Sequence, residues 1–246
     1  MSGLVQAIII GAQKAGTTAL FDYLSEEPGL AVPDVKETHF FDDESLDWSQ
    51  PDYELYHRRF PAADGRLRLE ATPIYVYWPN CLERIAAYNP AARLILALRD
   101  PVERAWSHWR MEYARGAEIL PFAECIRTGR QRLFAAEPWG CHREFSYVER
   151  GFYGEQVERA LALFPRDQLL VLKAEDLQTT PGEVLTTVRA FLGLDAPSIP
   201  DLPRRVHVGR EMDYGSALTA EDVDFLRGVY ARDLARLAAL TGVTFY

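Results

Sequence analysis

The chain is poor in the features that mark several large classes of protein. It has only three cysteines in 246 residues, Cys81, Cys125 and Cys141. An odd number without C-x-x-C spacing indicates neither a disulfide framework nor a zinc site, so the three read as inert thiols. No apolar run approaches the roughly eighteen residues that span a bilayer. The N-terminus enters a core strand with no basic leader region and no cleavage site, and the expectation is a cytoplasmic protein without a transmembrane segment. No repeat, low-complexity tract or Pro/Gly/Ser linker divides the sequence, so one domain over residues 1–246 is expected. Positive charge is also scarce. A net charge of −9 argues against a nucleic-acid or membrane-surface partner, because a phosphate backbone demands a basic footprint. Basic residues do cluster at His57-Arg58-Arg59, Arg127-Arg130-Arg132 and Arg204-Arg205-His207-Arg210. Solvated surface accounts for the first two, whereas the third lies in a Gly-containing loop where a ligand contact is an equal alternative.

What is present is an alternation of strands and helices. Strand signals fall at residues 7–10, 30–32, 67–70, 93–98 and 169–173. The 94–98 and 169–172 stretches are almost continuously apolar, as in parallel strands covered on both faces. Helices are expected over residues 17–26, from Asp100-Pro101 with Glu103 completing a capping box, over 154–164, from Thr180-Pro181 to Leu192, and from Thr219 to Gly242. The pattern predicts an α/β fold in which helices wind around a parallel sheet, with ligands at the carboxyl ends of the strands.

Ile8-Ile9-Ile10-Gly11-Ala12-Gln13-Lys14-Ala15-Gly16-Thr17-Thr18 follows the form of an anion cradle. Glycines let the backbone come close, a helix start directs N–H groups at an oxyanion, and a lysine adds charge. The ATP-type phosphate loop, G-x-x-x-x-G-K-[ST], has a similar glycine spacing. Here Thr17 follows the second glycine and the lysine lies inside the loop at Lys14, which points away from ATP.

Two further stretches carry candidate chemistry. Lys36-Glu37-Thr38-His39-Phe40-Phe41-Asp42 places two carboxylates and an imidazole in one short segment. Glu37 suits a general base, with a pKa expected to be raised by burial beside aromatics, and His39 suits a supporting role. The plainer alternative is a surface loop anchored by two core phenylalanines. Arg99 stands at a strand end and Ser107 two turns into the next helix, an arrangement that can hold a second phosphate. Its alternative is an Arg99 clamp on Asp100 or Glu103.

Taken in order, these stretches resemble the sulfotransferases that use 3′-phosphoadenosine 5′-phosphosulfate (PAPS), and most the heparan-sulfate and glucosaminyl O-sulfotransferase branch, as a soluble bacterial-type member. The resemblance continues through Glu70-Ala71-Thr72-Pro73-Ile74-Tyr75, Gly151-Phe152-Tyr153 and the C-terminal helix. It implies a P-loop-NTPase-like three-layer fold, a central parallel sheet flanked by helices. It further implies that Lys14, Ala15, Gly16, Thr17 and Thr18 wrap the 5′-phosphosulfate, with Lys14 neutralising the bridging oxygen. Arg99 and Ser107 would bind the 3′-phosphate, Tyr153 would lie near the nucleotide, and Glu37 would deprotonate a hydroxyl or amine with support from His39. The family's late basic loop has Gly209-Arg210 as its nearest counterpart, which makes Arg210 a nucleotide-binding candidate. The paired cysteines near that loop in the family are missing, in keeping with a reducing compartment. The reaction implied is in-line transfer that leaves adenosine 3′,5′-bisphosphate and needs no metal.

Two other readings remain at this point. A Mg²⁺-dependent P-loop kinase would use Asp100 as the strand-end acid but lacks the G-K-[ST] triplet. A non-catalytic nucleotide-binding protein is opposed by the presence of both Lys14 and Glu37. The acceptor is a glycan, glycolipid or small molecule. Trp48, Trp78, Trp139, Tyr75 and Tyr77 are candidates for stacking on it, with core packing as the alternative.

Overall fold

The computed structural model describes residues 3–62, 64–134, 143–194 and 212–246. Cys141, Trp139, Arg204, Arg205, His207 and the nucleotide-binding candidate Arg210 lie outside the described residues. Five strands form one sheet: β1 (Ala7–Gly11), β2 (Leu30–Ala31), β3 (Leu67–Ala71), β4 (Arg93–Leu98) and β5 (Leu169–Lys173). Their order is β2-β3-β1-β4-β5 and every pairing is parallel. β1 is central, and the connections on its two sides run to opposite halves of the sheet. The carboxyl end of β1 is therefore the topological switch point, where open α/β sheets bind ligands.

The helices are α1 (Thr17–Ser25), α2 (Tyr53–His57), α3 (Cys81–Tyr88), α4 (Pro101–Arg115), α5 (Phe122–Phe134), α6 (Tyr153–Leu163), α7 (Ala174–Thr179), α8 (Pro181–Leu192) and α9 (Ala220–Thr241). α9 starts at Thr219 with a capping box to Asp222 and stops at Gly242, whose φ is 77°. Asp100 caps α4 by accepting from the Val102 and Glu103 N–H groups. The second half of the expected box is replaced, because Glu103 turns its carboxylate to Arg99 at 3.0 Å.

The chain divides into two compact units, Met1–Leu98 with Arg159–Val206, and Arg99–Glu158 with His207–Tyr246. The first holds the whole sheet. Ala7, Ile9, Leu69, Ala71 and Ile95 share one sheet face and pack with Leu20, Leu24, Leu177, Leu185 and Val188 of α1, α7 and α8. The alternate residues Ile8, Ile10, Leu94, Leu96 and Leu98 are equally inaccessible to solvent. Both faces are covered, which explains why β1 and β4 are near-continuous apolar runs instead of alternating ones. The second unit has its own core, in which Trp109, Phe122, Tyr147, Leu226 and Tyr230 come together. There Arg127 and Arg132 of α5 are engaged in ion pairs, Arg127 with Asp222 at 2.6 Å and Arg132 with Glu118 at 2.7 Å.

Candidate active site

The loop after β1 is a tight turn at the switch point. The Ala12 N–H donates to the Ala97 carbonyl at 2.7 Å and the Ala15 N–H to the Ala12 carbonyl at 3.1 Å. Lys14 takes φ 72° and Gly16 φ 77°. The two glycines have different tasks. A Cβ on Gly11 would meet Val76 Cγ1 at 2.4 Å, so this position serves close packing of the strand end. A Cβ on Gly16 would meet only Ala174 Cβ at 3.8 Å, so Gly16 is there for its left-handed backbone. α1 opens at Gly16 with no side-chain cap and no acidic residue in its first turn. The first amides of a helix have no partner in its own hydrogen-bond ladder, an arrangement suited to a bound anion.

The 36–42 segment lies against this helix start. Lys36 Nζ is 3.3 Å from Thr18 Oγ1 and 3.3 Å from Glu37 Oε1. His39 bridges two carboxylates, with Nε2 3.4 Å from Glu37 Oε2 and Nδ1 3.0 Å from Asp42 Oδ2. Asp42 is fully buried, while half of the His39 side chain faces solvent. The Asp42 hydrogen bond, then the Glu37 one, lifts the His39 pKa to about 9. The expected rise in the Glu37 pKa is not found. Burial does push it upward, but the His39 hydrogen bond and the Lys36 and His39 charges together bring it below the ordinary value. Glu37 is thus an ionised carboxylate at neutral pH, paired with a cationic imidazole. Phe40 and Phe41 do anchor the segment, packing with Trp48, Tyr56 and Tyr75. The anchored-loop reading therefore describes these residues, and it leaves the Glu37 carboxylate in contact with Lys36 and His39.

Sequence reasoning missed what holds this segment in place. Thr38 Oγ1 donates to Glu70 Oε1 at 2.7 Å, and its N–H donates to Thr72 Oγ1 at 3.2 Å. Glu70 and Thr72 come from the end of β3 and are fully buried. The available signal was a glutamate inside a strand whose faces are both covered, where an apolar residue is the rule.

The second unit carries the other candidates. Arg99 Nη2 donates to Glu103 Oε2 at 3.0 Å, so the clamp alternative describes its present partner. Asp100 Oδ1 accepts from two N–H groups as the helix cap, which occupies the group that a kinase would use as its strand-end acid. Ser107 follows Glu103 by one helical turn and is half-buried. Tyr153 is fully buried and donates its hydroxyl to the Arg99 carbonyl at 2.9 Å. Its contact is with the backbone that carries Arg99.

Among the stacking candidates, Tyr75 and Trp78 are core residues. Trp78 Nε1 donates to Glu44 at 2.9 Å. Trp48 is partly open but lies under the Arg84 guanidinium at 4.1 Å. Cys81 and Cys125 are buried and free, and burial raises both thiols, that of Cys125 to about 12. In both places burial disfavours the reactive thiolate.

Among the described residues, no helix is long and apolar enough to cross a membrane. Comparison with known proteins places this geometry in a family. Residues 5–206 match the model of the sulfotransferase domain. Heparan sulfate glucosamine 3-O-sulfotransferase 3B1 of Homo sapiens is 33% identical over 195 residues, covering 78% of this chain and 46% of that protein. Bifunctional heparan sulfate N-deacetylase/N-sulfotransferase 3 of Mus musculus is 30% identical over 207 residues, covering 78% of this chain and 22% of the relative. The chain thus spans half or less of the length of these two curated relatives. The crystal structure of a sulfotransferase from Alicyclobacillus acidocaldarius superposes with a TM-score of 0.82 at 27% identity, covering 98% of this chain and 96% of that one. The three-layer, P-loop-like fold expected from the sequence is the one found, and the chain belongs to the sulfotransferase domain family.

Proposed function

We propose that this protein transfers a sulfuryl group from PAPS to a hydroxyl or amine of a carbohydrate acceptor, with Glu37 as general base. The observation that carries the reading is the Lys36 ammonium, 3.3 Å from both Thr18 Oγ1 and Glu37 Oε1. It ties the first turn of the anion-cradling helix to the candidate base. A group held at the helix start would lie beside a carboxylate able to take the acceptor's proton.

The residues then divide the work. Lys14 and the amides of residues 15–18 hold the phosphosulfate, and Lys14 stabilises the charge that grows on the bridging oxygen. Arg99 and Ser107 take the 3′-phosphate, with Tyr153 fixing the backbone of Arg99. Glu37 accepts the acceptor proton as the new S–O bond (to a hydroxyl) or S–N bond (to an amine) forms. The old S–O bond breaks, and its electron pair leaves on adenosine 3′,5′-bisphosphate. The His39 cation, held by Asp42, orients the base. Catalysis of this kind comes from position and charge, by analogy with phosphoryl transfer. The names of the two heparan sulfate relatives support a sugar acceptor, and both O- and N-sulfation are represented among them.

Incubation with sulfur-labelled PAPS and a panel of sugars, phenols and amines tests the reading. Label is expected in a sugar, glucosamine-containing ones first. Label in phenols alone would overturn the acceptor class. Product from ATP and Mg²⁺ with none from PAPS would overturn the reaction.

A further inference from the structure

The roles just assigned make no use of Glu70, although it is fully buried. Withdrawing a carboxylate from water is costly unless its hydrogen bonds are well met, so its partners are informative. Glu70 Oε1 accepts from Thr38 Oγ1 at 2.7 Å and from Thr72 Oγ1 at 2.6 Å. Its Oε2 accepts from the Tyr56 hydroxyl. A hydroxyl has one proton and two lone pairs. With its proton directed at Glu70, Thr72 can only accept from its other neighbours. Those neighbours include the N–H groups of Thr38 and His39, at 3.2 Å and 3.5 Å. Tyr75 adds a further contact, accepting from the Phe41 N–H at 3.3 Å with its hydroxyl 3.3 Å from Thr38 Oγ1. The buried carboxylate thus sets the proton directions of a network that grips the main chain at residues 38 and 39, immediately after Glu37.

We propose that Glu70 is a positioning residue for sulfuryl transfer, its carboxylate directing the Thr38 and Thr72 hydroxyls so that Glu37 and His39 are held in the geometry that receives the acceptor's proton. The proposal rests on the reading of Glu37 as the base. Glu70 touches neither donor nor acceptor in this account, and it acts entirely through the loop it secures. A displacement of about 1 Å at the reacting group can lower a rate roughly a hundredfold, which is the scale on which such an anchor matters.

The test compares wild type with Glu70→Ala, Glu70→Gln, Thr72→Val, Glu37→Gln and the double variant Glu70→Ala/Glu37→Gln. Turnover of labelled PAPS with a glucosamine-containing oligosaccharide is measured across pH, together with binding of adenosine 3′,5′-bisphosphate. Glu70→Ala is expected to lower kcat about 30- to 300-fold while nucleotide affinity stays within about threefold. The acid limb of its pH profile should move to higher pH as Glu37 loses its fixed pairing with His39. Glu70→Gln, whose amide oxygen can still accept from both threonines, should remain within about fivefold of wild type. Glu70→Ala should cause no further loss in the Glu37→Gln background. Wild-type kcat in Glu70→Ala, or an equal further loss in that background, would overturn the proposal. If circular dichroism shows Glu70→Ala unfolded, Thr72→Val decides: normal kcat with an unmoved acid limb refutes the anchor. Glu37→Gln turning over at the wild-type rate would instead refute the base reading, and the anchor's premise with it.

Discussion

The two stretches that carry the candidate chemistry are held in different ways. Residues 36–42 in the first unit hang from groups that solvent does not reach: Asp42 beneath His39, and Glu70 and Thr72 beneath Thr38. In the second unit, Arg99 is paired with Glu103 across a contact whose side chains are 33% and 48% exposed. Buried polar contacts cannot be exchanged without leaving a group unpaired in a low-dielectric interior. An exposed ion pair gains about 1 kcal/mol or less and gives up its partner readily. On the function proposed above, the carboxylate that would meet a proton in one geometry is preorganised, and the arginine that would receive an incoming anion is left exchangeable.

Substitutions that break the comparison should differ in kind as well as in size. Glu37→Gln and Lys14→Ala are each expected to lower kcat by about two to four orders of magnitude, the range for losing a general base or a charge-stabilising donor. Single-turnover assays on folded protein check both. Arg99→Ala should instead act on donor binding, weakening PAPS about 10- to 100-fold and adenosine 5′-phosphosulfate hardly at all. Equal weakening of both would remove Arg99 from the 3′-phosphate. Asp42→Asn sharpens the buried half of the comparison. Asp42 and Glu37 raise the His39 pKa to about 9, so the pairing contributes stability that is fully present below the ordinary histidine value of about 6.5. That contribution is lost as pH rises through about 9. Asp42→Asn should lower the alkaline limb of activity toward neutrality and flatten the dependence of Tm on pH in this window. An alkaline limb unmoved by Asp42→Asn would separate His39 from catalysis. The smallest effect belongs to Glu103→Ala, which frees Arg99 and should tighten PAPS by no more than about threefold.

β1 and β4 were readable because burial on both faces writes them as apolar runs, and all five strands lie within a residue of their expected ends. The residue types of the 36–42 segment were readable as well, since a carboxylate, an imidazole and a second carboxylate stand within six positions. Their electrostatics were not. Nearness to Phe40 and Phe41 suggested a desolvated, weakly acidic Glu37, but the carboxylate is in contact with Lys36 and His39. The anchor lay beyond local reasoning for another reason: Glu70 and Thr38 are 32 residues apart and meet only through the parallel sheet. Likewise Glu103 fits a capping box by spacing, and only three-dimensional placement shows it reaching Arg99 instead. Helices α2, α3, α5 and α7 were not anticipated. α2, α3 and α7 are too short to signal themselves by propensity and rely on tertiary packing. α5 was read as a basic surface because its arginines, not its buried Phe122, Cys125 and Ile126, dominate the pattern.

The most direct test of the account is the pH dependence of single-turnover sulfuryl transfer from preloaded, labelled PAPS in wild type and Glu37→Gln. The account predicts a wild-type profile whose acid limb lies below the ordinary glutamate value and whose alkaline limb lies near 9, set by Glu37 and His39 respectively. In Glu37→Gln the rate should fall by about two to four orders of magnitude and the acid limb should disappear. A Glu37→Gln enzyme that transfers at the wild-type rate with the same acid limb would contradict it.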